Sequence, residues 1–213
     1  MMKNGTATAI GEPTNGAREA IETGLPYICN VTIEGSADLL LHAWNCEAVA
    51  EKGAAKKGSE TKKSDNLESY VRRDDNGVIC LPSEYLRMAI VGAAKFRQDP
   101  RSPRKSAMDL YKAAIVSLKP LAPITTITGD LPKIWDYEHR CRVQIQRNGI
   151  TRCRPAFREG WRCEVSLLVN LPEYVSPREL NEVIGAAGRL IGVGDFRPSY
   201  GRFVVVNFEV QSD

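Results

Sequence analysis

The sequence predicts an α+β fold in which two amphipathic helices back onto an antiparallel sheet. Three observations carry that expectation. Apolar residues recur at helical spacing in two separated stretches, short alternating segments flank each stretch, and glycine- or proline-rich turns punctuate the joins. At 213 residues the chain is long enough to bury a core without disulfide or metal staples.

Residues 1–24 are rich in Gly, Thr and Ala with no lasting period, which predicts a loosely ordered arm ahead of one domain over 25–213. Residues 27–34, YICNVTIE, alternate as a half-buried strand does, and the apolar run 39–44 is expected to continue the edge of that unit. The segment 51–64, EKGAAKKGSETKKS, is polar and Gly- and Lys-rich and predicts a flexible insertion, either a solvated loop or a lysine flap on phosphates. Order returns over 76–97. A short strand meets Pro82 and Ser83, and a helix then turns Tyr85, Leu86, Ala89, Ile90, Ala93 and Ala94 inward.

Residues 98–106, QDPRSPRKS, break that helix with two prolines and three basic residues. The period of 109–118 fits helix or strand, and Ile115, Val116 and the following Pro120 favour strand. Residues 140–157 predict a β-hairpin. Arg140 and Arg142 alternate with Cys141, Val143 and Ile145, Asn148-Gly149 supplies a turn pair, and Arg152 and Arg154 share a face of the returning arm. Residues 161–171 form a further strand.

A helix then opens at Ser176 as N-cap, with Pro177 at its first position and Glu179 closing a capping box. Leu180, Val183, Ile184, Ala187 and Leu190 make its inward face. The loop 192–202 carries three glycines, Arg197, Arg202, Phe196 and Tyr200, and 203–210 is the last strand. Collected, the elements read βαββαβ, the ferredoxin-like split βαβ arrangement. One insertion falls before the first helix, at about 35–77, and a β-hairpin insertion falls between strands two and three, at about 120–160.

The formal net charge of +3 decides little, but its distribution is telling. Between His139 and Arg162 lie seven arginines and one acid, Glu159, and a second basic stretch over 87–119 is opposed by Asp99 and Asp109 alone. That points to a cationic face suited to nucleic acid. No apolar run has membrane-spanning length, and the N-terminus lacks a signal-peptide apolar core. The six cysteines form no CxxC pair and have no histidine at zinc spacing. They are expected to be reduced and buried in a cytoplasmic protein with no cofactor and no metal.

Two segments resemble the RAMP superfamily, the RRM-like proteins of CRISPR effector complexes. GVICLPSEYLRMAI, with Leu81-Pro82-Ser83 at the helix entry and Arg87 on the helix, is similar to that family's strand, Ile-Pro-Gly-Ser-Ser type turn and basic helix. GVGDFRPSYGRFVV is similar to the family's glycine-rich loop before the final strand. The chain departs from the pattern by lacking the second Gly-Ser of the turn and by placing Asp195 in the loop, where it repels phosphate unless paired with Arg197 or Arg202. Within the family the guide-RNA-binding backbone subunit is most alike, its insertion and hairpin thumb matching 34–77 and 140–157.

The resemblance implies an RRM-like core and a non-catalytic subunit that polymerises along guide RNA with copies of itself or related subunits, and possibly meets a target strand. A phage-encoded single-stranded nucleic-acid-binding protein, or a mimic that blocks a host complex, is the alternative of the same shape. The residues expected to contact nucleic acid are Arg87, Lys95 and Arg97 at the first helix, and Arg147, Arg152 and Arg154 on the hairpin. Gly192, Gly194, Arg197, Tyr200, Gly201 and Arg202 join them from the loop. Arg197 also qualifies as a structural partner of Asp195. A RAMP-type endoribonuclease is the competing enzyme reading, with His42, Asp74, Asp75 and His139 as its raw material.

Overall fold

The computed structural model describes residues 24–56, 66–145 and 148–211. Residues 1–23 of the expected arm, 57–64 of the lysine-rich insertion and Arg147 lie outside the described residues. In chain order the strands are β1 (Tyr27–Gly35), β2 (Leu39–Leu40), β3 (Arg72–Arg73), β4 (Ile79–Pro82), β5 (Gln98–Asp99), β6 (Ser102–Ser106), β7 (Ile115–Ser117), β8 (Leu121–Thr125), β9 (Tyr137–Ile145), β10 (Asn148–Phe157), β11 (Arg162–Val169) and β12 (Phe203–Val210). The helices are α1 (Cys46–Ala54), α2 (Ser83–Ala94), α3 (Met108–Ala114) and α4 (Pro177–Leu190), with a 3-10 turn at Leu67–Tyr70. The fold is mixed α+β with antiparallel sheets.

The main sheet runs β12-β1-β11-β8-β4-β3, and β7 pairs with β11 beside β8. Along β1, Tyr27, Cys29, Val31 and Ile33 are buried, and along β11 Cys163, Val165, Leu167 and Val169 are buried. Ladder partners point to one face, so this period of two packs a single side of the sheet against α2 and α4. Helix α2 contributes Leu86, Ala89 and Ile90 to the core, and α4 contributes Leu180, Val183, Ile184 and Ala187. The capping box of α4 forms as expected. Ser176 Oγ accepts from the Glu179 N–H, and the Glu179 carboxylate accepts from the Ser176 N–H. Such a cap stabilises a helix by about 1 kcal/mol. Leu190, expected inward, is 49% exposed on the last turn.

The sheet is wider than the four strands expected. Residues 121–125 lie inside the span read as an insertion, yet β8 pairs with both β11 and β4. Ile79, Cys80 and Leu81 are buried, so their backbone groups need partners; β8 pairs with Cys80 and Leu81, while Ile79 lies opposite Arg73 of β3 and its N–H donates to the Pro132 carbonyl. The 109–118 stretch divides, with α3 ending at Ala114 and β7 beginning at Ile115. Its strand expectation holds only for the β-branched end. Residues 98–106 are a two-stranded ribbon, β5–β6, rather than a plain break. The start of the lysine-rich insertion is helical, within α1.

β2 does not extend the edge of β1. It joins the hairpin in a second sheet, β2-β10-β9, with Leu39 opposite Phe157 and Leu40 opposite Ala156. The hairpin itself is present, but Asn148 and Gly149 are ladder residues opposite Ile145 and Gln144 and not its turn pair. Cys29, Cys80 and Cys163 are buried and Cys141 and Cys153 half-buried, while Cys46 is exposed at the start of α1; none of the six forms a disulfide. Burial pushes the Cys29 and Cys163 thiols up to about 12. Among the described residues no helix is long and apolar enough to cross a membrane.

Candidate nucleic-acid interface

The loop after α4 is sewn to the main chain around β2. The Gly201 N–H donates to the Asp38 carbonyl at 2.7 Å, the Asp195 N–H to Leu40 at 2.9 Å, and the Val193 N–H to Gly201 at 2.9 Å. Its glycines make this closeness possible. A Cβ on Gly201 falls 1.7 Å from the Val193 carbonyl oxygen, one on Gly194 falls 2.5 Å from that of Leu40, and one on Gly192 falls 2.9 Å from that of Gly201. All three also have positive φ. The backbone they admit is the protein's own, so these residues build the loop from within.

Asp195 has a partner, and it is neither Arg197 nor Arg202. Arg154 donates from Nε to Asp195 Oδ2 at 2.7 Å and from NH1 to the Cys153 carbonyl at 2.8 Å. Its guanidinium lies between two rings, 5.0 Å from the Tyr70 centroid and 5.9 Å from that of Phe196. Arg154 is 4% exposed. It does share a ladder face with Arg152, but that face turns into this clasp, which corrects the expectation of an open phosphate contact. Arg152, opposite Cys141, is half-buried.

The two histidines of the chain close on the same loop. His139 lies opposite Arg154 in the hairpin ladder, and its Nε2 meets the Tyr200 hydroxyl at 2.9 Å. His42 Nδ1 lies 3.6 Å from Asp195 Oδ2, and its ring meets Tyr70 edge-on. Tyr200 therefore serves a side-chain contact within the protein. Trp44, two residues from His42, is 67% exposed, and its carbonyl accepts from Arg72. Arg72, Arg197 and Asp195 all lie near the Tyr85 hydroxyl. Burial raises that phenol, the two arginines pull it down and Asp195 opposes them.

Arg197 and Arg202 stand exposed at the rim of the clasp. Exposed guanidiniums on a frame fixed by backbone hydrogen bonds are equipped to hold phosphate oxygens. The other basic residues expected here have different surroundings. Arg87 donates to the Ile115 carbonyl, the Lys112 carbonyl and Glu84, so it clamps α2 to α3 and β7. Arg97 pairs with Glu182 of α4 at 2.9 Å. Lys95 is exposed just past α2.

The open face of the main sheet offers no comparable chemistry. Asn30, Thr32, Glu34, Glu164, Ser166, Asn207 and Glu209 share it, and its Arg162 is taken by Glu34. Among the described residues of these three strands no aromatic faces that way, so base stacking on the sheet lacks a platform. Asp74 occupies a turn, its Oδ1 accepting from the Asn76 and Val78 N–H groups, with Asp75 exposed beside it. Among the described residues no group of three His, Cys, Asp or Glu side chains is arranged to hold a metal.

Sequence reasoning missed Trp44, Tyr70 and Phe196, whose spacing carries no period. The parity of the hairpin was the available signal for the clasp, because it sets Arg154 opposite His139 in any register with a two-residue turn after Ile145.

No family model and no curated protein matches the sequence. Among solved structures, a chain in the cryo-EM structure of the Type III-B Cmr-beta bound to cognate target RNA is similar, with a TM-score of 0.49 and 7% identity over 91% of this chain. The chain spans 63% of the length of that neighbour.

Proposed function

We propose that this protein is a non-catalytic subunit that binds single-stranded RNA and assembles along it with copies of itself or related subunits, in the manner of a RAMP-type guide-RNA backbone. One observation carries the reading. The loop's glycines approach its own backbone and that of β2, and its acid pairs with Arg154, which leaves Arg197 and Arg202 exposed on a loop held by backbone hydrogen bonds. The order β12-β1-β11-β7 supports a ferredoxin-like, RRM-like core, since it arranges the four core strands as fourth, first, third and second.

Charge reversal tests it. Arg197→Glu with Arg202→Glu is expected to abolish binding of labelled single-stranded RNA while circular dichroism and melting stay unchanged. Wild-type affinity is expected to fall steeply with salt, with a slope of about −0.7 per phosphate neutralised. Unchanged affinity in the double variant at moderate salt rejects the reading.

A second reading rests on His42, whose Nδ1 faces Asp195 at 3.6 Å with 40% of the side chain exposed. A general base in that position fits an RNA-cleaving enzyme. Incubation with labelled RNA and Mg²⁺ separates the two. Shifted but intact RNA supports binding, whereas cleavage that disappears in His42→Ala favours the enzyme.

A further inference from the structure

At the end of α2 remote from Tyr85 and Arg197 lies a second surface with the same chemistry. Phe96 is 66% exposed, and the backbone that carries it is held. Its N–H donates to Ala93 at 3.0 Å, the Arg97 N–H donates to Ala94 at 3.1 Å, and the Arg97 carbonyl accepts from Ala107 at 2.8 Å. Lys95 precedes Phe96 and is exposed. The ribbon β5–β6 follows, and its register sets Gln98 beside Ser106, so Lys105 comes back to within a residue of the chain leaving Phe96.

The ribbon is itself rigid. Asp99, 4% exposed, accepts from the Arg101 N–H, Nε and NH2, and Gln98 reaches across to the Pro103 carbonyl. Arg101 is thereby used, its guanidinium 5.6 Å from the Tyr174 ring. Arg104 and Lys105 are exposed on β6 and form no ion pair among the described residues. An exposed benzyl ring alone is ordinary on a protein surface. One on a held backbone, next to Lys95 and followed by a ribbon carrying exposed Arg104 and Lys105, has the composition of a base-stacking platform with phosphate partners, although Lys105 also faces the charge of Asp99.

We infer that the end of α2 and the β5–β6 ribbon form a second contact for single-stranded nucleic acid, with Phe96 stacking on a base and Lys95, Arg104 and Lys105 meeting phosphates. The inference rests on the nucleic-acid-binding reading above, but its site is separate. The twelve residues of α2 span about 18 Å, and Arg197 lies near Tyr85 at the opposite end of that helix. Stacking on Phe is sequence-tolerant, so this contact adds affinity and length dependence without base specificity.

The test is fluorescence anisotropy with a labelled oligouridylate of about twenty nucleotides, using the full chain. Phe96→Ala is expected to weaken binding about tenfold with no change in salt slope, and Phe96→Tyr to restore it. Arg104→Gln with Lys105→Gln is expected to reduce the slope by about 1.4. All three positions are exposed, so melting temperatures stay at the wild-type value and confirm folding.

Unchanged affinity in Phe96→Ala, with loss in Arg197→Glu/Arg202→Glu, overturns this second contact and leaves the first reading standing. Loss in Phe96→Ala with no effect of the loop reversal does the opposite. No binding by the wild type at low salt overturns both. A change in self-association at constant RNA affinity also overturns the inference, because Phe96 then serves a protein contact.

Discussion

Arg154 on β10 and Asp195 in the loop after α4 are 41 residues apart in the chain, and Nε of one lies 2.7 Å from Oδ2 of the other. The pair accounts for the acid in a loop that also carries two exposed arginines. Asp195 neutralises an arginine buried between Tyr70 and Phe196, and so fixes the 3-10 turn, the hairpin and the loop to one another.

The two halves of this pair are unequal, because Arg154 is nearly inaccessible whereas Asp195 retains 28% of its side-chain surface. Asp195→Asn strands a buried cation and is expected to cost about 3 kcal/mol in urea unfolding. Arg154→Met combined with Asp195→Asn removes the stranded charge and is expected to be more stable than Asp195→Asn alone. A double variant at least as destabilised as the single one refutes the buried-pair account.

Two Gly→Ala changes are expected to move stability in opposite directions. At Gly201 the φ of +68° is unfavourable and the methyl group meets the Val193 carbonyl, so the variant is expected to lose more than about 1 kcal/mol. At Gly53 in α1 the new methyl meets nothing within 4 Å, and a gain of about 0.5 kcal/mol follows from helix propensity. Thermal melting of the two variants checks both signs.

Arg87 is expected to behave as a structural residue. Its three nitrogens join α2 to two carbonyls and to Glu84, so Arg87→Met leaves the Ile115 and Lys112 oxygens without those donors and is expected to lower stability by about 2 kcal/mol. RNA affinity, measured on the folded fraction, stays within twofold of wild type, about 0.4 kcal/mol. A large affinity loss at unchanged stability contradicts this assignment.

Acid sensitivity is expected at the β5–β6 ribbon. Hydrogen bonds from the Arg101 side chain and N–H hold the Asp99 carboxyl at about 2, below its ordinary 3.8. Because the folded value is the lower one, the stabilisation is complete above pH 3.8 and fades as pH falls toward 2. Asp99→Asn is therefore expected to melt below wild type at neutral pH, with the gap closing across that acid window. A gap of constant size down to pH 2 counts against it.

What was legible in the sequence follows the physics of each element. Strands β1, β11 and β12 and helices α2 and α4 were readable because each buries one face, and burial writes its period into the residues. The β8 strand was not readable. LAPIT is short, contains a proline and acquires its meaning only from β4 and β11 on either side. In the site, exposed Arg197 and Arg202 followed from loop composition, whereas the fate of Arg154 depended on a residue 41 positions away. Local pattern distinguishes an arginine from a leucine but not a solvated arginine from one enclosed by two rings.

The glutamates on the open side of the main sheet have a consequence for encounter. A net charge of +3 spread evenly gives a passing polyanion little reason to prefer one side of the molecule over another. Arg162 offsets Glu34, but Glu164 and Glu209 remain on that shared surface with no cation among the described residues paired to them, which disfavours approach of a polyanion from that side. In the RNA-binding reading proposed above, an approaching strand is thereby biased toward the arginine-bearing loop. In that reading the sheet works as a rudder during approach, and the sign of its charge contributes to the orientation in which a strand meets the loop.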